Sequence, residues 1–178
     1  WKSLEIDAPI NDGGVCLIDV LDETRTAAGA RKLRAYLRNL SGDINEIMLR
    51  QQHISHFLLN PDVKSTVENI LSTIPDVGRA LSRLLSGRGG PRDLRNVSEF
   101  MYILPRAQMM ASKLDAGFAP LFEKIDSHSE LALKLTNALS DELPTFFRDG
   151  NVIRDGFDIA LDNMRGLSHG GRETIAAL

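Results

Sequence analysis

The feature that most constrains this chain is its punctuation. Residues that start and stop helices recur at short intervals from Thr26 to Pro91. Thr26 is placed to cap a helix over Ala27–Arg38, with Leu33, Tyr36 and Leu37 on one side. Ser41-Gly42 breaks the pattern, and Asp43 followed three residues later by Glu46 predicts a capping box. Ile44, Ile47, Met48, Ile54, Phe57 and Leu58 then mark the apolar face of the next helix. Asn60-Pro61 reads as a cap followed by a first-turn proline, and Val63, Val67, Ile70, Leu71 and Ile74 follow at helical spacing. Pro75-Asp76 opens another helix, with Val77, Ala80, Leu81, Leu84 and Leu85 inward, and Gly87 ends it in a left-handed conformation. Gly89-Gly90-Pro91 turns into a helix running to about Leu104, which Pro105 ends or kinks. A chain punctuated in this way is mostly α: a multi-helix, bundle-like core.

The flanks are less regular. Leu4, Ile6 and Ala8 alternate with Glu5 and Asp7, which predicts a short strand, broken by Pro9–Gly14. Val15–Leu21 is an apolar run that pattern alone leaves as helix or strand. Beyond Pro105 the pattern predicts a weak stretch over Gln108–Leu114, then helices over Phe118–Ile125 and Ser127–Leu139. Two Asp-Gly steps, Asp149-Gly150 and Asp155-Gly156, flank Val152-Ile153 and predict turns around a short β element. A last helix over Asp158–Leu178 carries a seam of Phe157, Leu161, Met164, Ser168, Gly171, Ile175 and Leu178. Gly170-Gly171 predicts a soft spot or a break in it, at about 1 kcal/mol per glycine.

Composition removes several function classes. The 178 residues are 43% apolar and 25% charged, the balance of an ordinary globular chain. No apolar run reaches membrane-spanning length. The single cysteine excludes an internal disulfide framework. A net charge of −3 argues against a general coat for nucleic acid, and 6% aromatics against a base-stacking surface. A start at Trp1 and a stop at Leu178 inside a helical pattern lead to the expectation that the chain is cut from a longer one.

No constellation makes an active site. His53 and His56 share a helix face, but Glu46 lies two turns away and no third metal ligand is spaced to join them, so they read as structural. Cys16 sits in an apolar run and reads as a buried thiol rather than a nucleophile. Asp162, Ser168 and His169 fall on one helix, whereas catalytic triads converge from separate elements. Gly87–Arg92 has the composition of a phosphate loop but not its spacing. Arginines are the one suggestive charge feature. Arg79, Arg83, Arg88, Arg92 and Arg95 face only Asp76 and Asp93 within twenty residues, and Arg31, Lys32, Arg34 and Arg38 form a second group. They are read as solvated faces and internal ion pairs, with nucleic-acid backbone contact as the alternative.

Three ordered motifs carry a family resemblance. Leu21–Leu37, with Asp22, Thr24, Thr26, Gly29, Arg31, Leu33, Arg34 and Leu37, resembles the opening of the core (lever) domain of bacterial MutS-family mismatch-repair proteins. Ile74–Val77, Leu81–Leu84 and the run Gly87–Leu94, with Pro91, Arg92 and Asp93, are similar to that domain's middle. Arg148, Asp149 and Gly150, followed by Gly156, Phe157 and Leu161-Asp162, match its end. Tyr36 stands where tryptophan is usual, Asn39 where proline is common, Asn151 where glycine is expected, and Pro9–Gly14 replaces a longer stretch.

The resemblance implies a division into a connector (1–24), a helical core (25–156) and the start of a lever helix (157–178). It implies mechanical coupling between DNA-gripping and ATPase domains, without enzyme activity of its own. ATP and magnesium would belong to the full-length protein and no cofactor to this part. Partners would be other domains of the same chain, duplex DNA through the whole protein, a second subunit in a homodimer and a MutL-type protein. The setting would be the bacterial cytoplasm, with no membrane contact. The lever helix would lack its returning partner, leaving its apolar seam partly uncovered.

Overall fold

The computed structural model describes residues 5–123 and 125–176, the last eight by backbone alone. Trp1 and Leu178 lie outside it. Its helices are α1 (Leu17–Leu21), α2 (Ala27–Arg38), α3 (Ile44–Leu59), α4 (Pro61–Ser72), α5 (Val77–Leu85), α6 (Pro91–Ala111), α7 (Ala119–Phe122), α8 (Ser129–Ala138) and α9 (Ile159–Ala176), with single 3-10 turns at Ala116–Phe118 and Phe147–Asp149. The mostly α class is as the punctuation predicts.

Several start signals act as anticipated. The Thr26 hydroxyl accepts from the Gly29 N–H at 2.9 Å, and Asp76 accepts from the Arg79 N–H at 3.3 Å. Gly87 ends α5 at φ +69°, in the left-handed region. Other signals operate differently. Asp43 caps α3 through the Asn45 N–H at 2.9 Å, but Glu46 does not reach back to complete a box. It accepts from Ser41 and pairs with Arg50 instead, so the charged neighbour wins the carboxylate. Asn60 makes no side-chain N-cap bond; its amide donates backwards to the His56 carbonyl at 2.8 Å, closing α3 rather than opening α4.

Three expectations are corrected. Residues 5–8 form turns and bends, not a strand, and Glu5 is left-handed at φ +48°. The segment's backbone instead holds α1, through Leu17 N–H to the Glu5 carbonyl (2.8 Å) and Ile18 N–H to the Ile6 carbonyl (3.0 Å). Pro105 does not end its helix: α6 continues to Ala111. A mid-helix proline costs about 3 kcal/mol, but Leu104 and Met110 are buried on either side of it, so packing outweighs the lost bond. The expected helix over Phe118–Ile125 shrinks to the 3-10 turn and α7. The short β element expected at Val152-Ile153 is present between its two turns, and its partner is distant in sequence. Ile153 bridges antiparallel to Leu139 at the end of α8, with Ser140 N–H to Val152 carbonyl at 3.0 Å and Arg154 N–H to Ala138 carbonyl at 2.8 Å. Asn151, where glycine was expected, sits at φ +53°, a conformation asparagine tolerates.

The core is built on α6, which packs between α5 and α8 and also touches α4 and α7. Its Val97, Leu104 and Met110 are buried, as are Ala80 of α5, Ala132 and Ala138 of α8 and Ile70 of α4, the helices packed around it. Alanines on both flanking helices let the backbones approach closely. The hydroxyls of Ser98 and Thr136 meet at 3.1 Å across the α6–α8 seam. A second cluster joins α3 to the Ala116–Phe118 turn, with Phe118 buried against His53, His56 and Phe57.

No residue of α2 is fully buried, Leu33 and Leu37 being half-buried, and ion pairs tie the helix to its neighbours. Arg31 forks Asp76 at 2.8 Å on both oxygens, and Arg38 reaches Asp7 at 2.6 Å. The backbone of α9 is helical through Gly170-Gly171, so no break occurs there. Of its seam, Phe157 and Met164 are exposed and Leu161 is half-buried; the side chains of Gly171, Ile175 and Leu178 lie outside the described set.

Total accessible surface is 13048 Å². A self-contained globular monomer of this mass exposes roughly 8,600 Å². The excess is partly apolar: Leu85, Leu59, Leu40, Tyr102, Leu167 and Ile159 are each more than three-quarters exposed.

Candidate functional site

The five arginines of Arg79–Arg95 divide into two sets. Arg83 forks Asp93, whose side chain is almost fully buried, with Nε at 3.1 Å from both oxygens and a closer contact through Nη2. The same carboxylate accepts from the Gly90 N–H at 3.0 Å. Asp93 thus caps α6 and ties α5 to it, and the Arg83 guanidinium beside it holds its carboxyl below the usual carboxylate range. Arg95 reaches the Ser140 and Asp141 carbonyls, anchoring α6 to the α8 terminus. Arg79 lies 3.7 Å from Asp76. Arg83 and Arg95 thus tie elements together, while Arg79 makes only an exposed contact within its own helix start.

Arg88 and Arg92 tie no elements together among the described residues. Arg88 has only a 3.3 Å bond to the Ser86 hydroxyl, and Arg92 makes no hydrogen bond or ion pair among the described residues. Both line a concavity of about 540 Å³ with Arg83, the Gly87–Gly90 turn and Thr145–Arg148. Arg148, grouped by sequence with the turn motif, joins them there. It is 81% exposed, barely reaches Asp149 at 4.0 Å, and lies over the Phe146 ring at 4.8 Å. Phe146 and Phe147 are about half exposed beside it. Sequence reasoning missed this convergence, because Arg148 lies more than fifty residues from Arg92 and no local pattern links them. The turn is shaped by contact: a Cβ on Gly89 would lie 2.7–2.8 Å from atoms of Leu84, two of them backbone, and one on Gly90 would lie 3.1 Å from the Thr145 carbonyl. Pro91 is fully buried at the first position of α6.

The first motif is a local brace. Asp22 accepts from the Thr24 N–H (3.1 Å) and hydroxyl (2.5 Å), and those bonds hold its carboxyl low. Thr24 and Thr26 then pack over Gly29, where an added Cβ would meet Thr26 Oγ1 at 3.0 Å and Thr24 Cβ at 3.3 Å. Arg31 leaves the same helix to fork Asp76. Asp76 is pulled down to about 2, first by that bond.

The third motif forms the joint with α9. Asp149 accepts from the Phe146 N–H at 3.0 Å, and Gly150 and Gly156 turn the chain at φ +76° and +83°. Asp162 accepts from the Gly156 N–H at 2.8 Å. Arg165, which the sequence reading passed over, bonds the Ile153 carbonyl at 2.9 Å and Asp155 at 2.7 Å, and lies 3.5 Å from Asp162. It links α9 to the bridge segment and so to α8.

The histidines are engaged by the turn beside α7. His53 Nε2 donates to the Gly117 carbonyl at 3.0 Å and its ring stacks on Phe118 at 4.0 Å. His56 Nδ1 donates to Asp115 at 2.7 Å. Cys16 is buried, but it stands at the N-cap of α1, a helix start that its apolar neighbours hid. Its thiol donates to Asp19 at 2.9 Å, a bond that lowers the Asp19 pKa. Asp162, bound to Gly156, has no triad geometry with exposed Ser168; the His169 side chain lies outside the described set.

Fold and motifs therefore define an α-helical domain whose charged signature residues brace helices and joints. The chain belongs to the MutS domain III family, whose model matches residues 1–177. It is similar to DNA mismatch repair proteins named MutS: 34% identical over 98% of its length to that of Rhodopirellula baltica, 36% over 99% to that of Dinoroseobacter shibae, and 31% over 98% to that of Persephonella marina. It spans about a fifth of the length of these curated relatives. No helix among the described residues is long and apolar enough to cross a membrane.

Proposed function

We propose that this chain is the coupling core of a DNA mismatch repair protein, a helical body that passes strain between DNA-holding and ATP-hydrolysing domains and has no activity alone. The proposed division is a connector over 1–24, a core over 25–156 and a lever start over 157–178. The observation that carries the reading is the excess surface. A body exposing 13048 Å², with large side chains uncovered on several helices, is suited to being enclosed by neighbours. The Arg165 link supports it, since a lever needs a fixed joint. Relatives named as mismatch repair proteins set the context. Duplex DNA, ATP with magnesium, a second subunit and a MutL-type partner would act through the whole protein, in the bacterial cytoplasm.

Arg88 and Arg92 favour a second reading, an independent nucleic-acid-binding module. Titration of the chain with matched and mismatched duplex at two salt concentrations, with an ATP hydrolysis assay alongside, tests both. The coupling reading expects no hydrolysis and at most weak, salt-sensitive binding. Tight mismatch discrimination, or hydrolysis by the pure chain, overturns it.

A further inference from the structure

Four guanidinium groups line the concavity at the start of α6, and Asp93, already bound by Arg83 and Gly90, is the one carboxylate in its wall. Asp93 also satisfies the Gly90 N–H there, so the case rests on side chains rather than on the helix end. Arg88, Arg92 and Arg148 are left as forked donors with little to bind among the described residues. Phe146 and Phe147 put apolar surface among them. Interfaces between proteins favour this pairing of arginine and aromatic side chains, and each guanidinium can fork a carboxylate.

We propose that this concavity docks an acidic protein segment, one that presents two or more carboxylates to Arg88, Arg92 and Arg148 and an apolar side chain to Phe146 and Phe147. Charge complementarity selects the acid. The phenylalanines select protein over duplex DNA, whose outer ridge of phosphates offers nothing apolar to cover them, and the chain's overall charge of −3 opposes a long polyanion. The site stands apart from the coupling role, since an isolated module would present the same surface.

The test is fluorescence anisotropy with a labelled peptide, Gly-Asp-Glu-Leu-Phe-Asp-Glu-Gly, its Asn/Gln counterpart and a 20-base-pair duplex. The acidic peptide should bind the 178-residue chain, weaken with salt, and lose about tenfold or more of its affinity in the combined variant Arg88→Ala, Arg92→Ala, Arg148→Ala. Phe146→Ala should weaken the peptide severalfold. Circular dichroism of each variant should match the parent, because these side chains are exposed; a variant that has lost helicity is replaced by Arg92→Gln alone, which should still weaken the peptide. Equal binding of acidic and neutral peptides, equal binding by parent and variant, or no binding at millimolar peptide overturns the proposal. So does duplex binding that depends on the same arginines while the peptide fails, an outcome that leaves the coupling reading to be judged by its own ATPase and discrimination assays.

Discussion

Asp76 does more than any other single side chain to fix α2 and α5 relative to each other. It caps α5 and takes both terminal nitrogens of Arg31, from a helix with no fully buried residue. The bond to Arg31 first, then the Arg79 N–H and the two arginine charges, outweigh desolvation and lower its carboxyl from 3.8 to about 2. A lowered acid stabilises the fold above its unfolded pKa, so this contribution should be nearly complete above about pH 4 and be lost as pH falls through about 2. Asp76→Asn should flatten that limb of the stability–pH curve in urea titrations and cost about 1 kcal/mol near neutrality, reduced by the partial exposure of the pair. A curve unchanged between pH 4 and 2 would count against the Arg31 fork. Gly89 is decided by space rather than charge. A methyl there meets the Leu84 backbone at 2.8 Å, so Gly89→Ala should lower stability by about 1–3 kcal/mol in thermal melts, although alanine is elsewhere the better helix neighbour.

Among the elements, α5 and α6 form a hairpin closed by Asp93. Removing its carboxylate orphans the Gly90 N–H and frees Arg83, so Asp93→Ala should destabilise by about 1–3 kcal/mol. A double-mutant cycle with Arg83→Ala should show the two losses to be non-additive. Helix starts were legible because caps are local: Thr26, Asp43 and Asp76 needed only their next three residues. What stayed hidden depended on distance. The Leu139–Ile153 bridge joins the end of an expected helix to a turn-flanked pair fourteen residues on, and the continuation of α6 past Pro105 depends on burial that no neighbour of Pro105 encodes. The strand expected at Leu4–Ala8 failed over its described residues, 5–8, for the same reason, since alternation alone cannot tell a strand from turns that feed backbone carbonyls to α1. The arginines were legible as a cluster but not as engaged and free sets, because Asp93 and the α8 carbonyls had first to be placed in space.

At the scale of the molecule, the surface is too large for the mass. The isolated chain should therefore bind a hydrophobic dye such as ANS and self-associate as concentration rises, measured by light scattering; a strictly monomeric, dye-silent chain would argue that these faces need no cover. Arg165→Ala should leave the melting temperature nearly unchanged yet speed hydrogen exchange over residues 159–168, since it frees the joint without opening the core.

The bridge at Leu139–Ile153 gives the molecule a preferred place to yield. A pull along α9 passes down the chain to Ile153, a segment Arg165 braces, then across two backbone hydrogen bonds and the exposed Arg154–Asp141 pair toward α8. Two such bonds, unzipped one after the other, resist less than a seam of buried side chains sheared at once. In an optical trap the first rupture should release about the length of the loop between Leu139 and Ile153, with the α5–α6–α8 stack still folded. The joint would then act as a fuse, parting under load before the body it protects.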